Sequence, residues 1–236
     1  MKSSIKYIFV DLDGTVVRTD LFLEAVLKLL KQNFFHIFQL FFWILQGRAV
    51  AKEKVAKLVT LNVENLPYEM DLINYLKGQK NKIIVLATAS NEIYANSVAR
   101  YLGIFDKVIA SDKTKNLKGQ NKLAAIRAIA GDEGFIYAGD SYADRSIWQA
   151  ANLNIFVNAP DRAIEEAKSK GKVDKIFSSA NQSIGRAFIK EIRFYQWIKN
   201  LLVFVPLFTS HSYQGILGAA RYAENEAGII SDFSSY

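Results

Sequence analysis

The chain of 236 residues has no cysteine, two histidines and three prolines. Without cysteine it can form no disulfide framework, no thiolate zinc site and no cysteine nucleophile. Its two histidines, His36 and His211, are too few for a histidine-rich metal site. So small a number also makes a serine–histidine triad an unfavoured prediction. Few prolines, 13 glycines and the lack of an internal repeat exclude collagen-like, low-complexity and solenoid architectures. Any chemistry must therefore depend on carboxylates, hydroxyls, lysines and oxygen ligands.

Long hydrophobic runs are also lacking. The most apolar run, residues 34–45, has 12 residues, whereas a membrane-spanning helix needs about 20. It predicts either a buried helix or an interfacial one. Residues 1–11 have too short an apolar core for a secretory signal and end in a carboxylate. We therefore expect a cytoplasmic protein without a full transmembrane helix.

Positive charge is in excess, with a formal net charge of +7. Residues 162–199 contain nine Lys or Arg against four Asp or Glu, directly before the apolar stretch 201–208. This arrangement favours attraction to anionic lipid, with residues 186–208 at the inner face of a membrane. A solvated, lysine-rich helix face is the alternative interpretation. Because no nucleic-acid-binding motif accompanies the charge, we expect no nucleic-acid partner.

Strand-like and helix-like segments alternate along most of the chain. This alternation predicts an α/β protein with a Rossmann-like parallel sheet covered by helices on both faces. A helical stretch interrupts the pattern after the first strand, as an inserted cap would, and its last helix is predicted to begin at Pro67. The predicted strands are 5–10, 82–87, 107–110, 135–138, 154–157 and 174–177. The predicted domains are an α/β core at 1–18 and 79–182, a helical cap at 19–78 and a C-terminal appendage at 183–236.

Polar side chains follow several of these strands. Asp11-Leu-Asp-Gly-Thr15 follows the first strand and Thr88-Ala-Ser90 follows the second. Lys118 precedes a later helix, and Gly139-Asp-Ser-Tyr-Ala-Asp144 follows the strand at 135–138. In open parallel sheets, ligands bind beyond the carboxyl ends of the strands. We therefore expect these separated segments to converge at one edge of the sheet.

This ordered set resembles the four motifs of the haloacid dehalogenase (HAD) superfamily, most of whose members are phosphohydrolases. The resemblance covers residues 5 to about 177. Asn116-Leu-Lys-Gly119, together with Gly139-Asp140, is most similar to the phosphoserine-phosphatase branch, which inserts a cap between its first two motifs. The resemblance implies the HAD fold and a magnesium-dependent phosphatase that acts on phosphoric monoesters.

The resemblance also implies the reacting groups. Asp11 would attack phosphorus and form an aspartyl-phosphate intermediate, which splits one difficult step into two. Asp13 would protonate the leaving oxygen and later activate water. Asp11 and Asp140, with the backbone carbonyl of Asp13, would hold Mg²⁺, a hard cation that prefers oxygen ligands.

Other motif residues would bind the phosphate. By resemblance, Thr88, Ala89 and Lys118 would hold the phosphoryl oxygens, with Lys122 as an alternative to Lys118. A helix cap at Thr88 or Ser90 and a solvated helix lysine are the structural alternatives. The supporting residues would be Gly14, Thr15 and Asp144, of which Gly14 permits a sharp turn and Asp144 orients a water or the lysine.

Aromatic residues concentrate in the predicted cap, where residues 34–45 include five phenylalanines and Trp43. We expect this stripe to form the core of the cap rather than a cofactor site, and we expect His36 to pack within it. So many aromatic side chains in one insertion would also suit a lipidic substrate.

Arg193-Phe-Tyr-Gln-Trp-Ile-Lys-Asn-Leu-Leu-Val-Phe-Val-Pro-Leu-Phe208 resembles the opening of a UbiA-type prenyltransferase domain, over about 186–212. Some bacterial members of that family carry a HAD-like domain in front. Prenyl transfer needs aspartate-rich motifs, but the only aspartate after Asp174 is Asp232. We therefore expect a truncated domain without prenyltransferase activity.

Several functions therefore remain open. The leading prediction is a phosphatase whose partner is a small-molecule phosphate or a lipid-linked sugar phosphate. A phosphotransferase or mutase of the same superfamily is the second, since acceptor choice depends on how the cap excludes water. The third is a non-catalytic membrane-surface module associated with a prenyltransferase.

Overall fold

The computed structural model describes residues 5–178, which belong to the first of two units in the chain, Met1–Ser179. The second unit, Ala180–Tyr236, lies outside the described residues. The predicted appendage, its UbiA-like segment and the predicted membrane contact through 186–208 fall there. Across residues 5–178, no helix is both long enough and apolar enough to cross a membrane.

A six-stranded parallel sheet forms the centre of the described residues, as predicted. The strands are β1 (Tyr7–Val10), β2 (Ile83–Asn91), β3 (Lys107–Ser111), β4 (Phe135–Gly139), β5 (Leu153–Val157) and β6 (Val173–Phe177). Their spatial order is β3-β2-β1-β4-β5-β6. The connections leaving β1 and β4 therefore lead in opposite directions. Such a switch point between neighbouring strands is where open parallel sheets bind ligands.

Helices cover the sheet and exclude water from its β-branched and aromatic strands. They are α4 (Met70–Lys77), α5 (Glu92–Leu102), α6 (Gln120–Ala130), α7 (Arg145–Ala150) and α8 (Asp161–Ser169). Phe9, Tyr137 and Phe156 share one core with residues of α6, α7 and α8. Ile8 and Val10, which point to the other face of β1, are also fully buried. Burial of both faces is typical of parallel sheets.

Three helices occupy most of the predicted cap: α1 (Leu21–Gln32), α2 (His36–Gln46) and α3 (Arg48–Leu58). The Asp20 side chain accepts hydrogen bonds from the first turn of α1 and so caps it. In contrast, α4 packs against the core, because the Tyr75 hydroxyl donates to Asp174 of β6 at 2.6 Å. The helices of the cap are therefore α1, α2 and α3, whereas α4 belongs to the core.

The prediction that a helix begins at Pro67 is wrong, since α4 starts at Met70. Residues 67–69 instead run along 16–18. The Arg18 N–H donates to the Pro67 carbonyl at 2.8 Å, and the Glu69 N–H donates to the Val16 carbonyl at 2.9 Å. The two segments that lead into and out of the cap thus pair with each other.

The prediction of an aromatic cap core is also wrong. Phe35 and Phe42 are 72% and 61% exposed, and within α2 only Leu40 is fully buried. His36 does not pack in a core, because its Nδ1 contacts the Gln39 side chain at 2.9 Å on the exposed side. The sequence shows that α2 is mostly apolar but not which of its sides the rest of the cap covers, which explains the error.

Candidate active site

The loops after β1 and β4 meet at the carboxyl edge of the sheet. The Asp11 N–H donates to the Ala138 carbonyl of β4 at 3.0 Å. The Thr15 hydroxyl donates to Oδ1 of Asp140 at 3.3 Å. Gly14 lies between them with a φ of +76°, a left-handed backbone that glycine adopts without strain. The first and fourth predicted motifs are therefore in direct contact at the switch point.

Asp11 is a buried carboxylate held on both oxygens. Its Oδ1 accepts the Leu12 N–H at 2.9 Å, and its Oδ2 lies 3.0 Å from the Lys122 ammonium. Burial raises the pKa of Asp11 well above its usual range, although Lys122 opposes this. The carboxylates of Asp144, Asp140 and Asp13 raise that pKa further. Asp11 therefore lies in a pocket where negative charge exceeds positive charge.

The lysine in this pocket is Lys122, not Lys118. Lys122 is 2% exposed, and its ammonium also lies 3.2 Å from Oδ1 of Asp144 and 3.2 Å from the Tyr137 hydroxyl. Burial disfavours its charge, but Asp11 and Asp144 outweigh burial and raise the pKa of Lys122. Lys118 is exposed and precedes α6. The structure thus places Lys122, the alternative to Lys118, beside Asp11, because Lys122 begins the inward face of the helix.

Asp13 connects the first motif to the cap and to β2. Its Oδ1 accepts the N–H of Leu21, the first residue of α1, at 2.9 Å. Its Oδ2 accepts the Ser90 hydroxyl. Burial, with the nearby Asp20 carboxylate, raises the pKa of Asp13 to about 6, while the bonds from Leu21 and Ser90 oppose the rise. A carboxyl group that titrates near neutrality can both donate and accept a proton.

The second predicted motif lies at the end of β2. This strand extends to Asn91, beyond its predicted end, so Thr88 and Ala89 are strand residues. Thr88 is fully buried, and its hydroxyl oxygen accepts the Ser90 N–H at 3.0 Å. The Ala89 carbonyl accepts the ammonium of Lys52, a residue of α3, at 2.8 Å. The cap therefore reaches the edge of the pocket.

Asp144 is the second carboxylate that contacts the Lys122 ammonium. It is 3% exposed, and its second oxygen, Oδ2, has no hydrogen-bond partner. A methyl group at Gly139 would lie 2.8 Å from the Tyr137 ring and 3.3 Å from Oδ2 of Asp144. Glycine is thus required at the end of β4 for the backbone to pass so close to this group.

Comparison with known proteins identifies the family. Residues 8–148 match the family of haloacid dehalogenase-like hydrolases. The chain belongs to this family. It is also 32% identical over 205 residues to uncharacterized protein y4nM of Sinorhizobium fredii, a match that covers 84% of this chain and 39% of that protein. The chain thus spans well under half the length of this relative.

Solved structures are also similar to this chain. A protein of unknown function from Bordetella pertussis Tohama I has a TM-score of 0.53 at 17% identity, over 74% of this chain and 99% of that one. A phosphoserine phosphatase in its apo form has a TM-score of 0.48 at 20% identity, over 80% of this chain and 100% of that one. At 17% identity, the likeness to the Bordetella protein concerns the fold alone.

The pocket of this HAD-like hydrolase has a donor set that suits a hard dication. Within residues 5–178, no group of three or more His, Asp or Glu side chains is gathered as a metal centre. Mg²⁺ needs fewer protein ligands, because it is usually bound by one or two carboxylates together with waters and substrate phosphate. Asp11 and Asp140, with the carbonyl of Asp13, can supply that number. The excess of carboxylates around Asp11 is consistent with a cation there.

Two residues of the pocket, Lys122 and Ser90, were not predicted as site residues, although Lys122 was the alternative to Lys118. The spacing of the sequence could have indicated that Lys122 faces inward, because Lys122, Ile126 and Ala130 recur every four residues. All three are buried on α6. Ser90 carried no such signal. Its contact with Asp13 joins residues 77 apart in the chain and depends on the extended end of β2.

Proposed function

We propose that this HAD-like hydrolase is a magnesium-dependent phosphatase that hydrolyses a phosphate monoester through an aspartyl-phosphate on Asp11. The observation that carries the proposal is the buried pair of Asp11 and Lys122 at the carboxyl end of β1. Asp13 and Asp140 lie on the two loops that meet beside that pair. A structural ion pair alone would not need further carboxylates around it.

In the first step, a carboxylate oxygen of Asp11 attacks phosphorus while the bond from phosphorus to the ester oxygen breaks. The leaving oxygen takes the proton of Asp13 and departs as an alcohol. In the second step, Asp13 accepts a proton from water as the water oxygen attacks phosphorus. The acyl-phosphate bond then breaks, which releases inorganic phosphate and restores the Asp11 carboxylate.

Asp13 suits this double role through its surroundings. With a pKa of about 6, it changes protonation state at little cost near neutral pH. The Ser90 hydroxyl that contacts it can donate to the carboxylate or rotate and accept from the carboxylic acid. Ser90 therefore supports both protonation states.

Lys122 would hold Asp11 in place and neutralise charge on the phosphoryl group, the role predicted for Lys118. Thr88 and the backbone at Ala89 would complete the phosphate contacts at the end of β2. Asp11, Asp140 and the carbonyl of Asp13 would hold Mg²⁺. When bound, the ion screens the negative charge of the phosphate from the attacking carboxylate.

The substrate that we propose is a phosphate monoester on a small molecule or on a lipid-linked sugar. The lipid-linked alternative is supported by the UbiA-like segment, which lies outside the described residues, and by the aromatic content of the insertion. The proposal that the protein lies at the inner face of a membrane depends on the same UbiA-like segment. A preference for lipid-linked over soluble sugar phosphates in turnover assays would support this part.

The reaction is tested by phosphate release from a generic aryl phosphate, with and without a metal chelator, by the full chain and two variants. We expect Asp11→Asn to abolish the activity and chelation to remove it reversibly. The matched control is Asp132→Asn, a change of the same kind at an exposed position between α6 and β4, which should leave the rate unchanged. Full activity in Asp11→Asn would exclude Asp11 as the nucleophile.

A further inference from the structure

The cap presents an exposed hydrophobic surface on α2 and the turn before it. We call this surface the α2 apolar face, and its residues are between 50% and 72% exposed. They are Phe34, Phe35, Phe38, Phe42 and Leu45. The last four are spaced by three, four and three residues, which places them on one side of a helix.

The area of this face is at the upper end of the range for the largest apolar patch on a monomeric protein. At about 200 Å² for a fully exposed aromatic side chain, its five residues expose roughly 600 Å² of apolar area. Contiguous apolar patches of that size usually mark an interaction site. Its five residues are not among those that form the catalytic pocket at the carboxyl edge of the sheet.

The charges around the face indicate the kind of partner. Residues 34–46 contain no Asp, Glu, Lys or Arg, and exposed basic residues lie beyond the two ends of α2, at Lys31 and Arg48. The Lys54 ammonium lies 5.6 Å from the centre of the Trp43 ring. Over residues 21–58 there are six basic side chains and two acidic ones. An apolar face with aromatic residues and a basic border is typical of helices that lie on anionic membranes.

We propose that the α2 apolar face inserts into the headgroup region of an anionic phospholipid bilayer, with α2 parallel to the membrane plane. An 11-residue helix is about 16 Å long, too short to cross the hydrocarbon core but long enough to lie at its surface. Lys31 and Arg48 contribute attraction to lipid phosphates at the two ends of the helix.

A second copy of the chain is a poorer occupant. An antiparallel pair of α2 helices would place Lys31 of one copy near Arg48 of the other, so like charges would meet.

The test is sedimentation of the full chain with vesicles of phosphatidylcholine alone or mixed with phosphatidylglycerol. We expect binding to the mixed vesicles. The double variant Phe35→Ser/Phe42→Ser should weaken that binding at least about tenfold, since two large apolar side chains no longer leave water. The double variant Lys31→Gln/Arg48→Gln should weaken it by roughly thirtyfold on anionic vesicles. The control, Leu58→Ser, removes a side chain that is 53% exposed on α3, outside the face, and should bind as the wild type does.

The comparison among variants also excludes other sources of binding. If residues 186–208 alone carried the chain to membranes, the phenylalanine variant would bind as the wild type does, and the proposal would be wrong. Failure of the wild type to bind mixed vesicles would also overturn it. If the wild type formed a dimer that the phenylalanine variant lost, and the wild type did not bind vesicles, the occupant of the α2 apolar face would be a second copy of the chain rather than lipid. Release of phosphate from soluble aryl phosphate should be equal in all variants, so the outcome is independent of the proposed chemistry.

Discussion

Replacing Lys122 by methionine tests the centre of the pocket through stability. The ammonium of Lys122 lies 3.0 Å from Asp11 and 3.2 Å from Asp144, and all three residues are buried. Methionine keeps most of the length of the aliphatic stem but removes the charge. The variant therefore leaves two buried carboxylates without their shared cation.

The expected loss follows from the burial of these groups. Removing one partner of a buried ion pair typically costs about 3–5 kcal/mol, because the remaining charge is no longer compensated. Burial already raises the pKa of Asp11, so the carboxyl group can take up a proton in the variant and limit the loss. We therefore expect the free energy of unfolding to fall by about 3 kcal/mol, near the lower end of that range.

The assay is urea-induced unfolding at neutral pH, followed by circular dichroism. Lys118→Met is the matched control, because Lys118 is exposed. Its free energy of unfolding should change by less than about 0.5 kcal/mol. Equal stability of the two variants, or a larger loss in Lys118→Met, would refute the assignment of Lys122 to the pocket.

Further predictions concern neighbouring groups. Ser90→Ala should lower kcat by about tenfold with little change in KM. This loss is smaller than the roughly hundredfold or greater loss of kcat expected when the acid–base group itself is removed. Steady-state kinetics with aryl phosphate measures kcat and KM separately. Gly139→Ala should lower the free energy of unfolding by about 1–3 kcal/mol in urea, because the added methyl would lie 2.8 Å from the Tyr137 ring. Hydrogen bonds from Lys57 and Asn91 lower the pKa of Glu53 below 4.5. The stability that Glu53 contributes is therefore present above pH 4.5 and is lost as the pH falls through the lowered pKa. The melting temperatures of the wild type and the Glu53→Gln variant should therefore differ at neutral pH and converge in acid.

Much of the fold could be predicted from the sequence because each strand is a short β-branched or aromatic run between helical segments. The rule that ligands bind at the carboxyl ends of parallel strands then predicted the meeting of Asp11 and Asp140. Both inferences depend on local pattern and on sheet geometry, which vary little among parallel α/β folds.

The errors arose where local pattern carries no such information. The choice between Lys118 and Lys122 depends on where α6 begins and which way its first turn faces. The start of α4 depends on pairing between residues 16–18 and 67–69, which are distant in the chain. The exposure of Phe35 and its neighbours depends on which side of α2 the rest of the cap covers, and a mostly apolar helix sequence does not reveal that side.

The most direct test of the central claim is identification of the residue that carries phosphate during turnover. The full chain, mixed with aryl phosphate and Mg²⁺, would be quenched with borohydride, which reduces an aspartyl-phosphate to homoserine. Peptide mass spectrometry then locates the change. The account predicts homoserine at position 11, dependent on substrate, with Asp13 and Asp140 unmodified. Release of phosphate with homoserine at another position, or with none at any aspartate, would contradict it.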